Sequence, residues 1–93
     1  MRESEIEAHL VRRVNEIGGE VRKVKWIGRT GAPDRVVMLP VGHWRWNHTI
    51  WFELKAPGVK PEAYQLREHE RMRAMGQRVV VIDSIEGVGE LLA

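Results

Sequence analysis

The segment TIWFELKAP, Thr49 to Pro57, decides how the rest of the chain is read. Ile50, Phe52 and Leu54 alternate with Trp51, Glu53 and Lys55, the period of a strand from Thr49 to Lys55 with one apolar face. Its other face carries a carboxylate and an ammonium at i and i+2, roughly 7 Å apart along the backbone. Pro57, Gly58 and Pro61 end the strand, and Pro61 suits the first position of a helix running to about Met75 and stopped by Gly76. RVVVI (Arg78–Ile82) is continuously apolar, the pattern of a strand buried on both faces. Strand, helix and strand in this order make a right-handed crossover unit whose two strands are parallel.

Working outward, Ser4 to Ile17 reads as a helix with Ile6, Leu10, Val14 and Ile17 on its core face. Ser4 can cap it, with Glu7 at the capping-box spacing, and Gly18-Gly19 stops it. Val21 to Ile27 is strand-like, GRTGAP is a loop, and Arg35 to Leu39 is a short strand ended by Pro40. PVGHWRWNH reads as the turn of a long hairpin into the Thr49 strand, so the first three strands pair antiparallel. In the helix after Pro61, Leu66, Met72 and Met75 supply an apolar face. Arg67/Glu70, Glu68/Arg71 and Glu70/Arg73 stand at pairing distance along it. His9 and His69 read as surface or core-edge groups, with His69 placed to line that apolar face. Asp83-Ser84 caps a last helix carrying Ile85, Val88, Leu91 and Leu92. The fold class is α/β, a mixed β-sheet flanked by helices in the order α-β-β-β-α-β-α, expected as a single domain over residues 1–93.

Ninety-three residues can bury one modest core. No apolar run approaches the length of a membrane span, and MRESEIEAHL is too polar for a signal peptide. With no cysteine there are no disulfides or thiolate zinc sites, and the cell interior is the expected location. The net charge is only +2. Basic residues nevertheless crowd one window, with Arg12, Arg13, Arg22, Lys23, Lys25, Arg29 and Arg35 against Glu16, Glu20 and Asp34. That bias suits a polyanionic partner such as nucleic acid, although charge alone describes a solvated surface equally well.

Asp34 stands at the mouth of a strand straight after Gly31-Ala32-Pro33, and Glu53 and Lys55 lie on the neighbouring strand. Two acids on adjacent strands can bind a hard divalent cation, with the Leu54 carbonyl as a further oxygen donor. Lys55 could then orient the attacking water or stabilise developing negative charge. Singly, each signal has a plainer reading. A Glu-x-Lys pair on a strand is commonly a solvated face, Asp34 is turn chemistry, Glu7 is a capping residue and Gln65 is helix surface.

Together, GAPD, then Glu53-x-Lys55 some twenty residues on, then Gln65 ten after the lysine, resemble the PD-(D/E)xK nuclease superfamily, whose fold is restriction-endonuclease-like. More narrowly, they resemble its VRR-NUC family, including the closing strand matched by Gly76 to Ile82. The resemblance runs from about Glu3 to Leu92. It implies that Asp34 and Glu53 ligate Mg²⁺ or Mn²⁺ with the Leu54 carbonyl, and that Lys55 is the catalytic lysine. Gln65 then supports the lysine and the substrate phosphate, and Glu7 reaches the metal directly or through water, with Glu3 and Glu5 as neighbouring candidates. It further implies a DNA endonuclease, resembling a Holliday-junction resolvase that acts as a homodimer on branched DNA, of phage or prophage origin and so at work in the host cytoplasm. A less selective flap, duplex or single-strand nuclease and a non-catalytic DNA-binding module on the same fold are the competing readings.

Arg12, Arg13, Lys23, Lys25, Arg29, Arg45 and Lys60 are the candidate DNA contacts. Trp44 and Trp46, interleaved with His43, Arg45 and His48, would serve either a subunit interface or base stacking. Two histidines at that spacing match no common zinc site.

Overall fold

The computed structural model describes residues 1–42 and 49–92. The expected strand turn with Trp44, Trp46 and Arg45 therefore lies outside the described residues. The elements follow in the expected order: α1 (Glu3–Glu16), β1 (Glu20–Lys23), β2 (Arg35–Met38), β3 (Thr49–Leu54), α2 (Ala63–Ala74), β4 (Val79–Ile82) and α3 (Ile85–Leu92). They build one four-stranded sheet in the order β1-β2-β3-β4. The β1–β2 and β2–β3 pairs are antiparallel, and β3–β4 is parallel.

Alternation along β3 divides the molecule into two layers. Ile50, Phe52 and Leu54 join Val37 and Ile82 beneath Ile6, Leu10 and Val14 of α1 and Val88 and Leu92 of α3, forming the apolar core. Trp51, Glu53 and the following Lys55 face the opposite way, toward α2. Register carries the same division across the sheet. Arg35 pairs with Phe52 and lies on the α1 side, whereas Trp51 and Glu53 pair with Val79 and Val81 of β4 on the α2 side.

Several local expectations are corrected. The helix α1 begins at Glu3, and Glu5, not Glu7, closes back on the cap, accepting a bond from the Arg2 backbone N–H at 3.1 Å. Strand β1 stops at Lys23; Val24 N–H still bonds Asp34 O at 3.0 Å, but Trp26 turns to donate its indole N–H to Pro33 O at 2.9 Å. The last strand, β4, is an edge strand with Val80 and Val81 half-buried, because among the described residues no further strand pairs beyond it.

The largest correction concerns α2. Leu66 and Met75 are 47% and 66% exposed, and only Met72 of the expected apolar trio is buried. The inward face is instead built from Glu68, His69 and Met72. The sheet face beneath α2 carries Glu53 and Lys55, so the helix turns part of its polar side inward to meet them. Of the expected pairs along α2, Glu70 joins Arg73 at 2.8 Å and Glu68 joins Arg71 at 3.4 Å, while the Arg67/Glu70 pair does not form.

Candidate active site

Glu53 and Lys55 are not a solvated pair. Their side chains are 11% and 16% exposed, with Lys55 Nζ 4.0 Å from Glu53 Oε2. Parallel pairing fixes the end of this strand, where Lys55 N–H bonds Ile82 O at 3.0 Å. Burial pushes the Glu53 carboxyl up to about 7. Lys55 opposes that rise, whereas the charges of Asp34 and Glu3 add to it and Arg35 counters them. Acids from α1 and from the mouth of β2 thus act on one desolvated carboxylate at the end of β3.

From the α2 side His69 meets Glu53. Its ring is fully buried, and Nε2 lies 3.4 Å from Glu53 Oε1. The pair is within ion-pair reach but not aligned for a hydrogen bond, and both ring nitrogens lack a hydrogen-bond partner among the described residues. Burial, followed by the charges of Arg73 and Lys55, holds the imidazole below its ordinary pKa.

Asp34 is largely exposed and is held by Arg35, whose Nη1 lies 2.8 Å from Asp34 Oδ1. The same guanidinium binds Glu7 through Nε and Nη2. Burial works against the charge of Arg35, but the hydrogen bond to Glu7 and the field of Asp34 outweigh it and raise its pKa. Glu7 is therefore tied to Arg35, and Glu3, also on α1, is among the charges that act on Glu53.

The loop bearing Asp34 is fixed from both sides. Pro33 is fully buried and its carbonyl accepts the Trp26 indole. Trp26 in turn lies against Trp51, ring centroids 5.3 Å apart and tilted by 46°. Gly31 has φ +85°, and a Cβ there would lie 2.8 Å from the Tyr64 carbonyl oxygen. Glycine is required because the loop passes against the backbone of α2.

Gln65 sits in the first turn of α2, and its amide oxygen accepts the Glu62 backbone N–H at 2.8 Å. Among the described residues no hydrogen bond joins it to Lys55. Of the expected DNA contacts, Arg12 pairs with Glu16 at 3.6 Å and with His9 at 2.8 Å, and Arg13 lies beside Gly89 of α3. Both belong to the helix layer opposite α2. Lys23, Lys25 and Lys60 are exposed on the β1 edge, the following loop and the β3–α2 connection, and Arg29 faces α2, 3.5 Å from Glu68. A cavity of about 690 Å³ lies at the other end of β3, and its described lining, Thr49, Arg73, Gln77 and Arg78 among others, includes no carboxylate.

Arg35 and His69 were not singled out as site residues from the sequence, whereas Glu3 stood there as a neighbouring candidate to Glu7. Arg35 had a signal: it follows Asp34 directly, and strand alternation sends it to the α1 face. His69 had only its position one turn after Gln65.

Among the described residues no three histidine or carboxylate side chains converge closely enough to form a metal cluster. The donor chemistry nevertheless fits a hard cation. Glu53 is an oxygen donor stripped of water, with further carboxylates raising its proton affinity, and a divalent ion would relieve that repulsion.

A mixed sheet carrying an acid at the mouth of one strand, Glu-x-Lys on the next and a crossover helix over both is the architecture of a PD-(D/E)xK nuclease. A solved structure described as a VRR_NUC domain superposes with a TM-score of 0.82 at 38% identity, over 97% of this chain and 92% of that one. "Putative nuclease p44" of Acyrthosiphon pisum secondary endosymbiont phage 1 is 51% identical over 84 residues, spanning 90% of this chain and 85% of the phage protein. No protein-family model matches the chain. The chain belongs to the VRR-NUC family of nucleases.

Proposed function

We propose that this chain is a divalent-metal-dependent DNA endonuclease that hydrolyses phosphodiester bonds, acting on branched DNA as a homodimer. The observation that carries the reading is the burial of Glu53 beside Lys55 at the end of β3. A charged pair on a soluble sheet is normally left in water, because burying it costs more than its attraction returns. Asp34, Glu53 and the Leu54 carbonyl would hold Mg²⁺ or Mn²⁺, which supplies charge neutralisation at the phosphate and a more acidic bound water. Lys55 holds the attacking water or a non-bridging phosphate oxygen, its ammonium aligned by Glu53. Arg35 orients Asp34, and α2 screens the Glu53–Lys55 face from bulk solvent. Gln65, on the first turn of α2, supports the substrate phosphate.

A two-fold dimer would present two such sites to opposing strands of a four-way junction. The test is cleavage of a panel of four-way junction, flap, duplex and single-stranded DNA with and without Mn²⁺, for the native chain, Glu53→Ala and Lys55→Ala. Metal-dependent cuts abolished by both substitutions are expected, with the junction preferred. Undiminished cleavage in either variant would sink the assignment, and metal-independent binding without cuts would identify a non-catalytic DNA-binding module.

A further inference from the structure

Along α2 a groove of about 360 Å³ opens between the helix and the loop at Gly28–Thr30. Its wall carries Arg29, Arg67 and Arg71 together with Tyr64 and a single acid, Glu68. Glu68 is 7% exposed and lies between two of the guanidiniums, its Oε1 3.5 Å from Arg29 Nη1 and 3.4 Å from Arg71 Nε. One buried carboxylate thus positions two arginines, and each keeps further N–H donors for another acceptor. Arg67 has no carboxylate at ion-pair distance among the described residues, because Glu70 is taken by Arg73. Three cations against one anion leave the groove with two positive charges in excess.

We propose that this groove seats the phosphodiester backbone of the DNA strand being cut, with Arg67 and Arg71 on its phosphates and Tyr64 against a base or sugar. The inference rests on the nuclease reading above and deepens it. Arginine forks match phosphate oxygens, and an aromatic ring beside them provides a sequence-tolerant stacking surface. Tyr64 is half-exposed and packs against the loop at Gly31. Helical periodicity puts Tyr64, Arg67, Glu68 and Arg71 on one stripe of α2 and Gln65, His69 and Met72 on the stripe beside it. Both walls therefore lead to the carboxylates: the loop continues through Gly31 and Pro33 to Asp34, and α2 brings His69 against Glu53.

The test uses the full chain in a Glu53→Ala background, so that DNA is bound and not cut. Fluorescence anisotropy of a labelled single strand and a labelled four-way junction is read across a sodium chloride series. Arg67→Ala is expected to weaken both complexes about tenfold and to reduce the slope of log affinity against log salt by about one. Tyr64→Ala is expected to weaken binding while leaving that slope unchanged, since stacking releases no counterions. Arg71→Ala uncovers the buried Glu68 and can unfold the helix, so the result is read from Arg67 and Tyr64, both exposed. Parental affinity and slope in both variants would overturn the proposal. So would Arg67-dependent binding of poly-glutamate with DNA binding unaffected, which would identify an acidic protein partner. If Arg67→Ala behaves as expected but the native chain cuts no DNA, the nuclease reading fails and the groove stands. If the native chain cuts DNA and Arg67→Ala leaves KM unchanged, the reverse holds.

Discussion

His69 Nε2 lies 3.4 Å from Glu53 Oε1 with the imidazole wholly shut off from solvent, yet neither ring nitrogen makes a hydrogen bond among the described residues. A buried polar atom without a partner costs about 1–3 kcal/mol, so stability alone does not favour histidine here. His69→Leu fills much the same volume without the orphaned nitrogens. The expected outcome is an unfolding midpoint equal to or above the parent, with DNA cleavage reduced about tenfold or more. Thermal unfolding and single-turnover cleavage measure the two. A lower midpoint with intact cleavage would make His69 a packing residue and nothing more.

The Glu53 carboxyl, raised to about 7, makes the metal-free protein sensitive to pH. Its folded-state pKa lies above the unfolded one, so its contribution is fully present below about 4.5 and is lost as pH rises through about 7. His69 works in the other sense: its pKa is lowered, so its contribution is present above the unfolded value of 6.5 and is lost as pH falls below that through the lower folded-state value. Subtracting a Glu53→Gln variant isolates the first effect. In chelator, the unfolding midpoint of the parent relative to Glu53→Gln is expected to fall between pH 5 and 8. A flat difference would mean that Glu53 is ionised throughout.

The placement of Asp34 before β2 and of Glu53 and Lys55 on one face of β3 was legible in the sequence, because glycine, proline and strand alternation fix where those side chains stand. The core was legible for the same reason: Ile6, Leu10 and Val14 and the apolar residues of β3 repeat at the period of their element. The rotation of α2 was not. Hydrophobic periodicity assumes that the buried face is the apolar one, and it pointed to Leu66 and Met75. Over a polar site that assumption fails, and Glu68 and His69 go inward instead. The cap was also misplaced, since it is Arg2, two residues before Ser4, and Glu5 stands where the capping-box reading put Glu7.

Arg35 couples the two layers by holding Glu7 of α1 and Asp34 of the loop at once. Arg35→Ala leaves Glu7 half-buried without its cation. A fully buried pair broken in this way costs about 3–5 kcal/mol. Asp34 is 62% exposed and partly screened, so about 2 kcal/mol is expected here. For a domain this small that is a fall in midpoint of roughly 8–16 °C. Glu7→Gln, which keeps an oxygen acceptor, should lose less stability. Denaturant unfolding of both variants checks the order, and Glu7→Gln as the more damaging change would contradict it.

Gly31 and Gly58 share positive φ, +85° and +79°, and differ in what surrounds them. Alanine at Gly58 meets nothing within 4 Å, so only the left-handed backbone is penalised, about 1 kcal/mol. Alanine at Gly31 adds a contact of 2.8 Å with the Tyr64 carbonyl, which is backbone and cannot swing aside. Relief requires the loop to lift from α2, carrying Pro33 and Asp34 with it. Gly31→Ala is therefore expected to lose at least twice the stability of Gly58→Ala and, at temperatures where it stays folded, to cleave DNA at least tenfold more slowly. Gly58→Ala should cleave at the parental rate. Equal stability losses would show that the loop yields without strain, and parental cleavage by a folded Gly31→Ala would show that the position of Asp34 does not depend on this close approach.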